Sequence, residues 1–156
     1  GYVSLPIGVV KLTEAHLKGD PPSREELQSA TTSIRQSIRQ VPPSLNIPAA
    51  AILVATAGTP TTLAAIDLRM TTYDGERVTG HRLSRKRIQE LLDRLCSLPL
   101  TRRSQVVGLE PARADVIVAG TLLTREILDL FGFDELTVSD GGLREGVLLH
   151  HLSQRK

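Results

Sequence analysis

Apolar residues recur three and four positions apart along much of the chain, and this spacing predicts amphipathic helices. They are predicted at residues 23–41, 84–98, 111–132 and 143–149. Ser23 and Glu26 have the spacing of a capping box at the start of the first helix. Ser84 can cap the second helix, and Gly132 can end the third in the left-handed conformation that closes many helices.

Three shorter stretches predict β-strands. Residues 2–5 alternate weakly between apolar and polar, residues 50–55 are apolar throughout, and residues 135–139 form a short run rich in strand-forming side chains. An apolar run without alternation is typical of a strand buried on both faces of an α/β sheet. Together with the helices, these strands indicate an α/β fold with a largely parallel sheet, and a turn or hairpin is expected at 73–75.

The last two predicted strands each run into a glycine turn and then a helix start. The turns occupy residues 57–62 and 139–142. Ligands of open α/β sheets bind at the carboxyl ends of strands, because glycine lets backbone amides approach a phosphate and the next helix presents its positive end. Neither spacing matches a Walker loop or a dinucleotide fingerprint. Each turn can therefore be either a phosphate contact or purely structural.

Composition narrows the class of protein. The 156 residues, 40% hydrophobic, predict one compact domain. The net charge of +2 is too small for a general nucleic-acid footprint, and four aromatic residues are too few for a base-stacking platform. No run of about 18 apolar residues and no signal peptide occurs, so no membrane association is expected.

The single cysteine and the first residue indicate the cellular compartment and the origin of the chain. Cys96 is the only cysteine, which excludes an intramolecular disulfide and fits a reducing, cytoplasmic setting. The chain begins at Gly1 rather than at methionine, so we expect it to be a piece of a longer protein.

Positive charge is concentrated between residues 81 and 103, where the sequence has seven lysines and arginines and only two acidic residues. Such a face either holds a polyanion or is simply solvated opposite the leucine side of its helix. The candidate polyanion face consists of Arg82, Arg85, Lys86, Arg87, Arg103 and, further along, Arg113.

No set of residues supplies a catalytic centre. The four histidines are scattered, with no carboxylate or cysteine at metal-ligand spacing, so no metal site is expected in this chain. Cys96 is expected to be a buried, inert thiol. Asp140 and Glu145 can act as a base or position a water molecule, although Glu145 can equally interact with its own helix dipole.

Four segments resemble, in the same order, the exopolyphosphatase and guanosine pentaphosphate phosphohydrolase family. They are SLPIGVVKLTE (4–14), VATAGTPTTLA (54–64), GLEPARAD (108–115) and VSDGGLREG (138–146). The resemblance implies the actin-like ATPase superfamily, in which two ribonuclease-H-like domains clasp a phosphate ligand. It identifies residues 1–156 as the C-terminal part of the second domain, a half-domain with a mixed or parallel sheet and its first two strands missing.

The resemblance also implies a function. The parent protein is expected to be a magnesium-dependent hydrolase that removes terminal phosphate from polyphosphate or guanosine pentaphosphate, with its catalytic glutamate in the missing N-terminal domain. This chain would then form one wall of the cleft, contain no catalytic residue, bind no magnesium alone and be inactive alone. The implied phosphate- or nucleotide-binding residues are Gly58, Thr59, Thr62, Gly141, Gly142, Arg144 and Glu145.

Two questions stay open at this point. Arg103 and Arg113 resemble family arginines that either touch polyphosphate or brace helices, and the alternative function is a non-catalytic polyanion-binding or assembly module. In the superfamily's sheet the missing strands would lie beside residues 52–55 and leave their edge open. Because open apolar edges recruit other chains, we expect a homo-oligomer or a second polypeptide there.

Overall fold

The computed structural model describes residues 2–42, 45, 47, 48 and 50–154. The helices of this part are α1 (Val9–His16), α2 (Arg24–Ile38), α3 (Gly58–Asp67), α4 (Gly75–Val78), α5 (Arg85–Cys96), α6 (Leu100–Arg103), α7 (Ile117–Phe131) and α8 (Leu143–Ser153). The strands are β1 (Val54–Ala55), β2 (Arg82–Ser84) and β3 (Glu135–Val138), and a 3₁₀ turn spans Pro111–Arg113.

The strands form a mixed sheet in the order β1-β3-β2. The central strand, β3, runs parallel to β1, with Val54 opposite Thr137, and antiparallel to β2, with Leu83 opposite Leu136. The α/β prediction is confirmed, but the sheet is evenly divided between a parallel and an antiparallel pair. The carboxyl ends of β1 and β3 lie at the same edge, because these two strands are parallel.

Helix α7 is the centre of the core. It packs against α1, α2, α3 and α5, and its Ile117 and Leu122 are fully buried. The predicted inner face of α5 is confirmed, since Ile88, Leu91 and Leu95 are buried too. A packed layer of helices behind the sheet therefore holds the strand ends in place.

The predicted helix caps at Ser23, Ser84 and Gly132 are also confirmed. Ser23 Oγ accepts a hydrogen bond from the Glu26 amide at 3.2 Å, and Glu26 Oε2 accepts one from the Ser23 amide at 2.7 Å. Ser84 Oγ accepts from the Arg87 amide at 3.1 Å, and Gly132 takes φ 72° at the end of α7. The expected continuation of α2 to residue 41 is absent, since the helix ends at Ile38.

Two strand predictions need correction. Residues 2–5 are not a strand: Tyr2 is 97% exposed, and no strand lies beside this segment among the described residues. The apolar run 50–55 is a strand only at Val54–Ala55, because β3 pairs with it only there. It is not buried on both faces either, since Ile52 is 79% and Val54 is 50% exposed. Alternation alone does not make a strand without a partner that satisfies its backbone.

The segment 73–75 forms no hairpin. Asp74 instead caps the short helix α4, its Oδ1 accepting from the Glu76 amide at 3.0 Å. The single helix predicted over 111–132 divides into the 3₁₀ turn Pro111–Arg113 and α7. In the part of the chain that the structure describes, no helix is both long enough and apolar enough to cross a bilayer.

Candidate functional site

The two glycine turns face each other across a pair of adjoining hollows. The inner hollow, about 620 Å³, is lined by residues that include Gly58, Thr62, Arg113 and Arg144. The outer hollow, about 1260 Å³, is lined by residues that include Gly141 and Glu145. Both hollows share Met70, Thr71, Tyr73 and Asp140. The structure thus brings most of the predicted cleft residues to one place, and we call the two hollows together the cleft.

The start of α3 is held in an unusual backbone conformation. Ala57, which precedes the helix, has φ 74° and ψ −172°, a region that is costly for any residue with a side chain. The Thr61 hydroxyl donates to the Ala57 carbonyl at 3.0 Å and helps to hold this geometry. Strain of this kind is found at ligand-binding turns, where the backbone must present its amides in one direction.

Arg113 lies against that turn. Its guanidinium is so close to Gly58 that a Cβ at this position would overlap it. Glu110 accepts from Arg113 Nε at 2.9 Å and tethers the side chain to the 3₁₀ turn. A cation beside a helix N-terminus is electrostatically unfavourable, because both are positive, unless an anion binds next to both. The pair Gly58 and Arg113 is therefore arranged to receive a negatively charged group.

Tyr73 and Asp140 lie at the boundary between the two hollows, since both residues line each of them. The Tyr73 hydroxyl donates to the Asp140 carboxylate, and the Asp140 amide donates to Thr79 Oγ1 at 3.1 Å. Burial, together with the hydrogen bond and charge of Asp140, raises the pKa of Tyr73 to about 12, so the phenol stays protonated as a donor. A Cβ at Gly75 would overlap the Asp140 carboxylate, which explains the glycine there.

Other predicted residues have structural contacts. Thr59 lies against Gly120 of α7, where no side chain would fit, and it is not among the residues that line the cleft. Glu145 Oε2 accepts from the Gly142 amide at 2.8 Å. Hydrogen bonds from its own amide and from Gly142 hold the pKa of Glu145 below its ordinary value. Of the two interpretations of Glu145, the structure favours the one in which it caps its own helix.

The basic face is largely neutralised by carboxylates. Arg82 pairs with Glu135, Arg85 with Asp129 and Asp134, and Arg87 with Asp67 and Glu90. In the Arg87–Asp67 pair, Nε and Oδ1 are 2.5 Å apart. Lys86, the remaining basic residue between positions 82 and 87, is exposed on the first turn of α5.

Arg103 does not belong to that face, contrary to the prediction. Its side chain is buried and donates to the backbone carbonyls of Leu95, Ala114 and Leu98, at 2.9, 3.2 and 2.7 Å. Charge in the sequence indicates exposure, but here three carbonyls and the nearby Asp20 compensate for burial. Arg103 braces the end of α5 against the segment that carries Arg113.

Metal and thiol chemistry are not apparent at this site. Within the described ranges, no group of three or more His, Cys, Asp or Glu side chains lies together in a way that could hold a metal ion. Burial raises the pKa of the Cys96 thiol to about 11, so it is protonated at neutral pH and not a nucleophile.

The conformation of Ala57, which lies in the first predicted turn, and the place of Tyr73 in the cleft went unrecognised in the sequence. The positive φ of Ala57 could not be predicted, because alanine rarely adopts one. Tyr73 was expected only as part of a turn. Tyr73 meets Asp140 across 67 positions of sequence. The one available hint was that Tyr73 is the only tyrosine between the two glycine turns.

The cleft at the carboxyl ends of two parallel strands, with a strained glycine turn and an arginine facing it, is typical of α/β proteins that bind phosphate. The sequence model of the Ppx/GppA phosphatase family matches residues 2–155. The chain belongs to this family.

Individual relatives agree with that assignment. Exopolyphosphatase 2 of Mycobacterium tuberculosis is 33% identical over 150 residues, which are 94% of this chain and 47% of that protein. The crystal structure of the Aquifex aeolicus family member is 35% identical, covers 99% of this chain and 49% of its own, and has a TM-score of 0.90. An exopolyphosphatase from Cytophaga hutchinsonii is 25% identical, with a TM-score of 0.79 over 95% of this chain and 48% of its own. The chain spans about half the length of these relatives.

Proposed function

We propose that this chain forms one wall of the phosphate-binding cleft of a cytoplasmic hydrolase that acts on terminal phosphoanhydride bonds of polyphosphate or guanosine pentaphosphate. The observation that carries the proposal is the contact of the Arg113 guanidinium with Gly58 at the start of α3. Two positive groups held together in an open hollow favour an anion that binds beside both of them. The likeness to an exopolyphosphatase supports a phosphorylated ligand.

The residues of the inner hollow have different roles in binding phosphate. The backbone amides at the start of α3 donate to phosphate oxygens, since the first amides of a helix have no partner within it. Arg113, which is also paired with Glu110, and Arg144 supply positive charge to the hollow. Such a preorganised set stabilises the charge that develops on a phosphate during hydrolysis.

The chemistry itself belongs to the rest of the protein. We propose that residues 1–156 are the C-terminal part of the second actin-like domain and that the catalytic glutamate lies in an N-terminal domain, which fits the half-length match to the relatives. The purified chain should then release no phosphate. Detectable release that is lost in Gly58→Trp would contradict this division.

Magnesium is expected for the whole protein, but the side chains of this half do not fit a protein-only site. The described residues offer no cluster of three possible ligands in the cleft or elsewhere. Magnesium is often held by one or two carboxylates together with substrate phosphates, so its binding would depend on groups outside this chain. We derive no step through it.

A binding titration tests the proposal. Inorganic tripolyphosphate is added to the 156-residue chain, and the heat of binding is measured for the wild type, Gly58→Trp and the matched variant Gly8→Trp. Gly8 has open space around its Cβ position, so its variant should bind like the wild type. Saturable binding that Gly58→Trp abolishes supports the proposal, and binding that is equal in all three proteins excludes the cleft.

The alternative, a polyanion-binding module built on Arg82, Arg85, Lys86 and Arg87, has weaker support, because carboxylates already neutralise three of these residues. It predicts steeply salt-dependent binding of polyphosphate. Arg85→Glu combined with Arg87→Glu should abolish binding under this alternative and leave it unchanged under the cleft proposal.

We also propose that a second copy of the chain pairs on the open edge of β1. The carbonyls of Leu53 and Ala55 accept from Thr137 and Ser139 of the neighbouring segment, so the amide and carbonyl of Val54 face away from β3. Val54 and Ile52 are exposed beside this edge. Sedimentation should show a concentration-dependent dimer that Val54→Pro abolishes, whereas a monodisperse monomer at all concentrations would contradict the pairing.

A further inference from the structure

The inner hollow contains carboxylates as well as its two arginines. Glu110, which lines the hollow, accepts a hydrogen bond from Arg113 Nε at 2.9 Å, and its side chain is 63% exposed. The other carboxylate among the described residues that line this hollow, Asp140, accepts a hydrogen bond from Tyr73 instead. Glu110 is therefore the negative group already bound to the arginine for which we propose a phosphate contact.

The two sides of the Arg113 guanidinium have different surroundings. Its Nε donates to Glu110, and this is the only hydrogen bond that the side chain makes to the described residues. Its Nη1 is the atom nearest to the Cβ position of Gly58, so the Nη side lies against the start of α3. The pair with Glu110 thus holds the guanidinium through one side, while the donors of the other side stay free to bind a ligand.

The charge of Glu110 opposes the binding of an anion at Arg113. A phosphate that contacts Arg113 shares the guanidinium with the Glu110 carboxylate, and like charges at such short separation repel. The same pair also favours binding, because it keeps Arg113 in place beside Gly58. This second contribution is small, since exposed ion pairs stabilise little. The repulsion is larger, because a phosphate chain carries several negative charges that all act on the carboxylate.

We propose that Glu110 is an autoinhibitory counter-ion of the cleft, which pairs with Arg113 in the absence of phosphate and competes with phosphate for it. This rests on the proposed function, since it requires phosphate to bind beside Gly58 and Arg113. Binding of phosphate opens the pair between Arg113 and Glu110, and release of phosphate lets it form again. Glu110 therefore lowers the affinity for phosphate and returns the guanidinium to Gly58 after each release.

Calorimetric titration of the whole chain with inorganic tripolyphosphate tests the proposal. Glu110→Gln removes the charge but keeps an oxygen that accepts from Arg113 Nε, so the tether is retained. We expect this variant to bind about fivefold more tightly than the wild type, which is the effect of one charge at about 4 Å in water-like surroundings.

Glu90→Gln is the matched control for the loss of charge. Glu90 is likewise an exposed partner of an arginine three residues away, Arg87, but it is not among the residues that line the cleft. This variant should bind tripolyphosphate like the wild type. Circular dichroism confirms that each variant is folded.

Two further measurements distinguish a charge effect from a structural one. The affinity ratio between Glu110→Gln and the wild type should fall toward one as ionic strength rises, because salt screens an exposed carboxylate. The ¹⁵Nε–¹H signal of Arg113, identified by its absence in Arg113→Lys, should shift as tripolyphosphate is added to the wild type, because its pair with Glu110 opens. The corresponding signal of Arg87 should stay in place.

The outcomes separate this inference from the proposed function. If neither the wild type nor Glu110→Gln binds tripolyphosphate, or if Gly58→Trp binds it like the wild type, the proposed function fails and this inference fails with it. If the wild type binds in the cleft and Glu110→Gln binds equally well or more weakly, only the autoinhibitory role is overturned, and Glu110 is a tether alone. Tighter binding by Glu110→Gln that does not diminish with salt would also contradict repulsion.

Discussion

The guanidinium of Arg113 lies on the backbone of Gly58, with no room for even a methyl group between them. The two residues are 55 positions apart in the chain, and the buried Arg103 links their surroundings by holding the carbonyl of Ala114, next to Arg113. A cation is thereby fixed at the start of α3, at the carboxyl edge of the sheet. Everything proposed about the cleft depends on this contact.

Gly58→Ala should weaken tripolyphosphate binding about tenfold, because the added methyl displaces Arg113 and removes a charge-assisted contact of about 1.5 kcal/mol. Calorimetric titration measures the effect. The matched change Gly8→Ala adds the same methyl where nothing lies within 4 Å. Equal affinity in both variants would show that Arg113 does not need its place beside Gly58.

Ala57→Gly should stabilise the protein by about 1 kcal/mol, since relief of the strained φ and ψ outweighs the greater entropy of glycine in the unfolded chain. The same change at Ala15, exposed within α1, should instead cost about 1 kcal/mol. Urea denaturation of the two variants measures both free energies of unfolding. If Ala57→Gly also destabilises, the conformation assigned to this turn is wrong.

Arg103→Met should destabilise the protein by about 3 kcal/mol, because three backbone carbonyls lose their donor and each such bond is worth about 1 kcal/mol. The neighbouring Arg102 is exposed, and Arg102→Met should change the free energy of unfolding by less than about 0.5 kcal/mol. A surface role for Arg103 predicts equally small effects for both variants in the same denaturation experiment.

Asp67 should make stability depend on pH in acid. Burial raises the pKa of this carboxyl, but hydrogen bonds from Arg87 and His81 and their charges outweigh burial, so its pKa in the folded protein lies below the ordinary value. The resulting stability is present above the unfolded pKa of about 3.9 and is lost as pH falls through the lower folded pKa.

Urea denaturation at pH 6 and at pH 3 checks this dependence. Asp67→Asn should lose less stability between the two pH values than the wild type, because the amide does not titrate. Arg87→Met, which removes one source of the lowered pKa, should also show a smaller loss. If both variants keep the wild-type difference, the acid sensitivity arises from other carboxyls.

Helix ends could be predicted from sequence because their determinants are local. Ser23 and Glu26 are three residues apart, and the reciprocal hydrogen bonds they make need nothing from the rest of the chain. Strands were predicted less well, since a strand exists only where a neighbour pairs with it. Residues 2–5 have the composition of a strand without a partner, and β2 was missed because only Leu83 among its three residues is apolar.

Of the residues predicted for the cleft, Gly58, Thr62, Gly141, Arg144 and Glu145 line it in the structure. Gly58 and Gly141 marked the two turns, and at Gly58 the close approach of Arg113 leaves no space for a side chain. The side chains that give the cleft its character come from distant segments: Tyr73 meets Asp140, and Arg113 meets Gly58, only in the folded chain. The burial of Arg103 was likewise invisible, because the carbonyls that bind it belong to two separate segments.

The most direct test of the cleft is amide chemical-shift mapping of the ¹⁵N-labelled chain during titration with inorganic tripolyphosphate. The account predicts that the largest shifts fall on the amides of Gly58, Thr59 and Arg113, with smaller ones at Gly141 and Arg144, and that they saturate together. Shifts confined to residues 82–94, or no saturable shifts at all, would contradict a phosphate-binding cleft between the two glycine turns.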